Sequence, residues 1–109
     1  MKEDLNQTRW SRLSVRMNVP RSPGVFLVAA GAGLLPEGVL MVGSAANLRE
    51  RMLELLEVKE LHARSARVIH WVADLTTEQA RLAERLFVRR YDPPLTSGPR
   101  TRYLDILAG

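Results

Sequence analysis

Arginine is the side chain in this sequence best suited to chemistry. All of the 16 basic residues except Lys2 and Lys59 are arginine, whose planar fork grips phosphate through paired hydrogen bonds. Arg81, Arg85, Arg89 and Arg90 recur at helical spacing and on a helix could track a phosphate backbone. A solvated charged face accounts for the same series. Trp10 stands beside Arg9 and Arg12. An aromatic among arginines stacks on bases, and equally docks an N-terminal helix onto a core. Two histidines and no cysteine leave no disulfide, no thiolate site and too few ligands for zinc. His70 interrupts an apolar run and reads as a core or half-exposed residue, and His62 reads as surface.

These residues must be positioned by a small set of elements. Val25 to Ala30 and Val39 to Val42 are short apolar runs, read as buried strands joined through Gly31 to Gly38 into an antiparallel hairpin. In Ala45 to Glu57, Leu48, Met52, Leu55 and Leu56 form a helical stripe. Arg67 to Ala73 reads as a third strand containing Trp71. Thr76 with Gln79 matches a capping box that opens a long helix. Its expected buried face is Leu82, Ala83, Leu86 and Phe87, and Pro93-Pro94 ends it. Lys2 to Val19 fits two patterns. Arg9, Arg12 and Arg16 share a face of a helix, whereas Leu13, Val15, Met17 and Val19 alternate as in a strand. We read a helix to about Ser14 and then an extended run ended by Pro20.

The expected fold class is α/β (α+β): one domain with a small three-stranded antiparallel sheet flanked by helices. Its parts are a basic N-terminal helix or arm over 1–19, a central domain over 20–97, and a tail over 98–109 in which Thr101 to Leu107 fits a short helix. At 109 residues, 46% of them hydrophobic, the chain can bury a core. No apolar run approaches the ~20 residues a membrane helix needs, and residues 1–18 lack an apolar signal core. A reducing cytoplasm is the expected compartment. The net charge of +4 is compatible with nucleic acid without requiring it. Glu50, Glu54, Glu57 and Glu60 oppose it on the central helix.

Three further stretches occur in a telling order. They are Ser22-Pro23-Gly24-Val25-Phe26, then Met41-Val42-Gly43 with Asn47-Leu48-Arg49-Glu50-Arg51, then Glu84 followed by Tyr91-Asp92-Pro93. Together they resemble the GIY-YIG nuclease superfamily, in the form of the N-terminal nuclease domain of UvrC. The match runs from about Val19 to Thr96. The resemblance implies a domain that cuts a DNA strand with one divalent metal, expected to be Mg²⁺. It implies that Glu84, seven residues before Tyr91, is the metal ligand. It implies that Arg51, ten residues after Met41, stabilises charge at the phosphate. Phe26 and Met41 stand where the family has its motif tyrosines. Leu55 stands in place of a tyrosine or histidine, Thr96 in place of an asparagine, and Ser44 in place of a common lysine.

Phe26 and Met41 carry no proton to give or take, and losing an acid–base group costs roughly 10²–10⁴ in rate. The resemblance with these departures implies a domain that binds DNA or another nucleic acid, with endonuclease activity weak or lost. Arg51, Glu84 and the helix bearing Arg81, Arg85, Arg89 and Arg90 would carry the binding. One alternative is an active Mg²⁺-dependent endonuclease whose base is water, Tyr91 or Tyr103. The other is a non-catalytic protein-interaction module.

Overall fold

The computed structural model describes residues 5–31 and 38–96. At its centre is the antiparallel trio β2 (Gly24–Ala29), β3 (Val39–Ala45) and β4 (Val68–Ala73), with β2 in the middle. The sheet is wider than the expected three strands. β1 (Asn6–Arg9) pairs antiparallel with β4, and a two-residue β5 (Leu95–Thr96) pairs parallel with β3. The order across the sheet is β1-β4-β2-β3-β5. Strand β1 escapes sequence patterning because three of its four residues are exposed. Backbone pairing to β4 orders it, not an apolar face.

The N-terminal reading is thereby reversed: the segment is a strand first and a helix second. Helix α1 (Arg12–Asn18) begins after Ser11, whose side chain accepts from the Ser14 N–H. Val15 and Val19 are buried, while Leu13 and Met17 are exposed. Four-residue spacing satisfies both a helix and an alternating strand, so the pattern alone was ambiguous. Arg9 and Arg12 thus lie on different elements, and Arg12 pairs with Glu57 at 2.6 Å. Trp10 takes the docking role: it packs on the core, its backbone N–H donates to the Arg67 carbonyl, and its ring lies 6.5 Å from that of His62.

Alternation along the strands divides the core. Phe26, Val28, Met41, Ile69 and Trp71 face α1, α2 (Leu48–Leu55) and α3 (Lys59–Ala63), meeting Val15, Val19, Leu48, Met52, Leu55 and Leu61. Leu27, Val39 and Val42 face the other way, towards α4 (Thr77–Tyr91). The connector holding His62 is thus a short helix, with that side chain exposed. Around Ser22-Pro23-Gly24 the chain clamps its neighbours. The carbonyls of Pro20 and Ser22 accept from the first N–H groups of α2, and that of Pro23 accepts from Leu75.

Helix α4 opens with the expected capping box between Thr76 and Gln79 and closes at Asp92 in the left-handed region. Its inward face differs from the expected one. Ala80 is buried, and Phe87, Val88 and Tyr91 pack on Leu27, Val39 and Val42. Leu82 and Leu86 instead point outward, 54% and 56% exposed. The helix carries two apolar stripes, and the longer one, Ala80, Phe87, Val88 and Tyr91, covers the sheet with Glu84 set among them. The suggested tail helix at Thr101 to Leu107 lies outside the described residues.

Candidate active site

The turned face of α4 decides where Glu84 sits. Its position on the inward stripe brings it towards the sheet, half-buried. Strand β3 runs on to Ala45, beyond the apolar run that marks it in sequence, so alternation aims Ser44 to the same side as Val42. The Ser44 hydroxyl donates to Glu84 Oε1 at 2.7 Å. This charge-assisted bond fixes one carboxylate oxygen. Sequence reasoning had noted Ser44 only as a substitute for lysine. The signal that finds its role is the strand register, once β3 is carried three residues further.

Arg51 lies on α2, against the opposite face of the sheet. Its Nη1 donates to Glu54 Oε1 at 3.0 Å, and a quarter of its side chain is exposed. Glu84 and Arg51 both attach to the C-terminal end of β3, one through Ser44 and the other through the helix capped by Asn47. The first N–H groups of that helix are engaged: Leu48 and Arg49 donate to Ser22 and Pro20, Glu50 to Asn47 Oδ1 and Arg51 to the Asn47 carbonyl. An anion near this end would therefore be met by side chains and not by the helix terminus. The acidic residues expected to oppose binding are partly neutralised, Glu54 by Arg51 and Glu57 by Arg12.

Phe26, Met41 and Leu55 are buried in one cluster on the α2 side, at 0%, 5% and 2% exposure. They act as core residues there. Thr96 enters the sheet through its backbone, in register with Val42. Arg81, Arg85, Arg89 and Arg90 are all exposed on α4. Arg81 lies three residues from Glu84, on the neighbouring turn. Arg90 rests over the Tyr91 ring, 5.7 Å from its centroid, and Tyr91 itself packs half-buried near Phe87. Tyr103 lies outside the described residues.

A divalent cation is compatible with this donor set. Among the described residues no three acidic, histidine or cysteine side chains gather; Glu84 is the half-buried carboxylate that could hold a cation, with water completing the shell. Mg²⁺ commonly binds through one or two carboxylates and keeps several waters.

His70 is buried, 3% exposed, on the α4 side of β4, and among the described residues its Nε2 has no hydrogen-bond partner. Burial lowers its pKa below the ordinary 6.5, with a hydrogen bond to the Gly31 backbone acting in the opposite sense. The unfolded chain therefore binds the proton first. Stability is full above pH ~6.5 and falls as the pH drops towards the folded value, by up to ~1.4 kcal/mol per unit. Urea unfolding at pH 7.5, 6 and 5 checks this, and His70→Leu is expected to flatten the dependence over that interval. A parent profile already flat between pH 7.5 and 5 would show the imidazole to be solvated.

No family profile and no curated protein sequence matches the chain. Solved structures do. Three crystal structures of the GIY-YIG N-terminal endonuclease domain of UvrC from Thermotoga maritima superpose with TM-scores of 0.59, 0.58 and 0.58. Identities are 19%, 19% and 20%; each match covers 72% of this chain and 91%, 90% and 90% of the other. Each is a point mutant with a tyrosine replaced by phenylalanine, bound to its catalytic divalent cation. The chain has the GIY-YIG fold. Among the described residues no helix is long and apolar enough to cross a membrane.

Proposed function

We propose that this chain is a nucleic-acid-binding domain, with DNA as its target, in which endonuclease activity is weak or lost. The observation that carries the reading is the contrast between the two faces of the sheet. A half-buried Glu84 is held by Ser44, whereas the seats at Phe26, Met41 and Leu55 are apolar and closed into the core. A divalent metal, with Mg²⁺ as the natural candidate, would supply charge neutralisation and Lewis acidity at a phosphate oxygen. The UvrC structures support metal binding here, since each keeps its cation with one tyrosine hydroxyl absent. Glu84 would hold the ion, Ser44 would orient Glu84, and Arg51 with Arg81 would meet phosphate. No side chain at the substituted seats can take the proton of an attacking water. The loss corresponds to roughly 10²–10⁴ in rate.

The test is nicking of supercoiled plasmid in Mg²⁺ or Mn²⁺, beside Glu84→Ala and a UvrC nuclease domain. The expected result is nicking at least about a hundredfold slower than the UvrC domain, with any residual cleavage absent from Glu84→Ala. Cleavage at the UvrC rate that Glu84→Ala removes would establish the active endonuclease instead. Duplex DNA binding should meanwhile weaken roughly fortyfold between 50 and 200 mM salt, as about three phosphate contacts require. Binding that ignores salt, or none, would leave the protein-interaction reading.

A further inference from the structure

Apart from Arg81 at its margin, the outward face of α4 has no role in the site described above. Leu82 and Leu86, one turn apart, are more than half exposed on a helix secured at both ends. Around them Arg85 and Arg89 line one side, with Arg81 beyond and Glu78 at the N-terminal end. Arg81, Arg85 and Arg89 follow one another at four-residue spacing, a like-charge row that weakens an isolated helix. Among the described residues none of the three has an ion-pair partner. An apolar pair set among exposed arginines is complementary to a ligand that is acidic and apolar together.

We propose that this face docks an acidic amphipathic helix of a protein partner. Leucine-type side chains of the partner would seat on Leu82 and Leu86, and flanking carboxylates would pair with Arg85 and Arg89. This is the helix-against-helix form of peptide recognition, read as anchors one turn apart. A second copy of the chain fits less well. Two such faces would oppose arginine rows of the same sign. Nucleic acid also fits less well here, because phosphate pairs with the arginines and leaves both leucines in water.

The experiment uses the full chain and a fluorescein-labelled synthetic peptide of four helical turns. Leucines recur every fourth residue in the peptide, with glutamates beside them. A control peptide has the same charge with each leucine replaced by serine, and a labelled DNA duplex is run in parallel. Saturable anisotropy is expected for the leucine peptide. Combined Leu82→Ser and Leu86→Ser should weaken it about tenfold or more and leave DNA binding unchanged. Amide NMR shifts should centre on Leu82, Arg85, Leu86 and Arg89. Both substitutions lie on an exposed face, so a thermal midpoint near the parent's will accompany them.

Four results would overturn the proposal. Equal affinity for the serine peptide would reduce the face to a charge patch. A parallel loss of DNA affinity in the leucine variants would make nucleic acid the occupant. A sedimenting dimer that dissociates in those variants would make it a second copy. Absence of saturable peptide binding also refutes it.

Discussion

Gly24→Ala is expected to lose about 3 kcal/mol or more of folding stability, at the upper end of the cost of overfilling a core. A Cβ at position 24 would lie 2.1 Å from the Val72 carbonyl oxygen and 2.8 Å from Leu48 Cδ1. The first contact is with backbone inside a paired strand, so no rotamer change relieves it. Strand β2 must separate from β4, and Leu48 must also give way at the start of α2. A domain of this size has about 5–15 kcal/mol in all, and the change corresponds to a fall of roughly 12 °C or more in Tm. Thermal and urea unfolding read the effect. Gly31→Ala and Gly38→Ala serve as controls, since a Cβ at either meets nothing within 4 Å among the described residues. A Gly24→Ala midpoint indistinguishable from the controls would mean the sheet opens there at little cost.

The second large effect concerns the carboxylate. Glu84→Gln keeps an oxygen that can accept from Ser44 and removes the charge, so the fold should persist while cation binding goes. Mn²⁺ titrated into the isotopically labelled chain is expected to broaden amide signals near Ser44, Arg81 and Glu84. In Glu84→Gln the apparent affinity should fall at least about a hundredfold. Ser44→Ala should cost about tenfold, because the carboxylate stays but loses its orientation. Unchanged broadening in Glu84→Gln would remove Glu84 from metal binding, whatever the plasmid assay finds.

Much of the central fold is legible in the residue pattern because short apolar strands and a capped helix are local signals. The β2–β3 hairpin, β4, the α2 stripe and the Thr76 capping box all follow from spacing. The margins of the sheet do not. Strand β1 is polar, so only its partner defines it, and α1 hid behind Val15 and Val19, whose separation suits either period. Gly24 falls just before the apolar run from Val25 to Ala30, yet it is the first residue of β2 and is required by the close approach of β4. Such an approach is a tertiary fact and leaves no mark on neighbouring residues. The face of α4 was mistaken because leucine is more apolar than alanine or valine residue by residue. The longer stripe wins by total area. That rotation also brought Glu84 to Ser44, a contact that sequence separation conceals.

The order of strands bears on how the protein comes to be folded. Strand β4 lies between β1 and β2, so Asn6 must find Trp71 and Gly24 must find Ala73. Pairings between such distant residues slow folding, because loop-closure entropy is lost before the contacts that reward it form. On a ribosome the β2–β3 hairpin emerges with its apolar faces bare and waits for β4 to follow. During that interval the partner edge of β2 is open to any other extended chain. The polar β1 joins only after β4 is in place, and by closing the outer edge with Asn, Gln, Thr and Arg it ends the period in which the nascent sheet can aggregate.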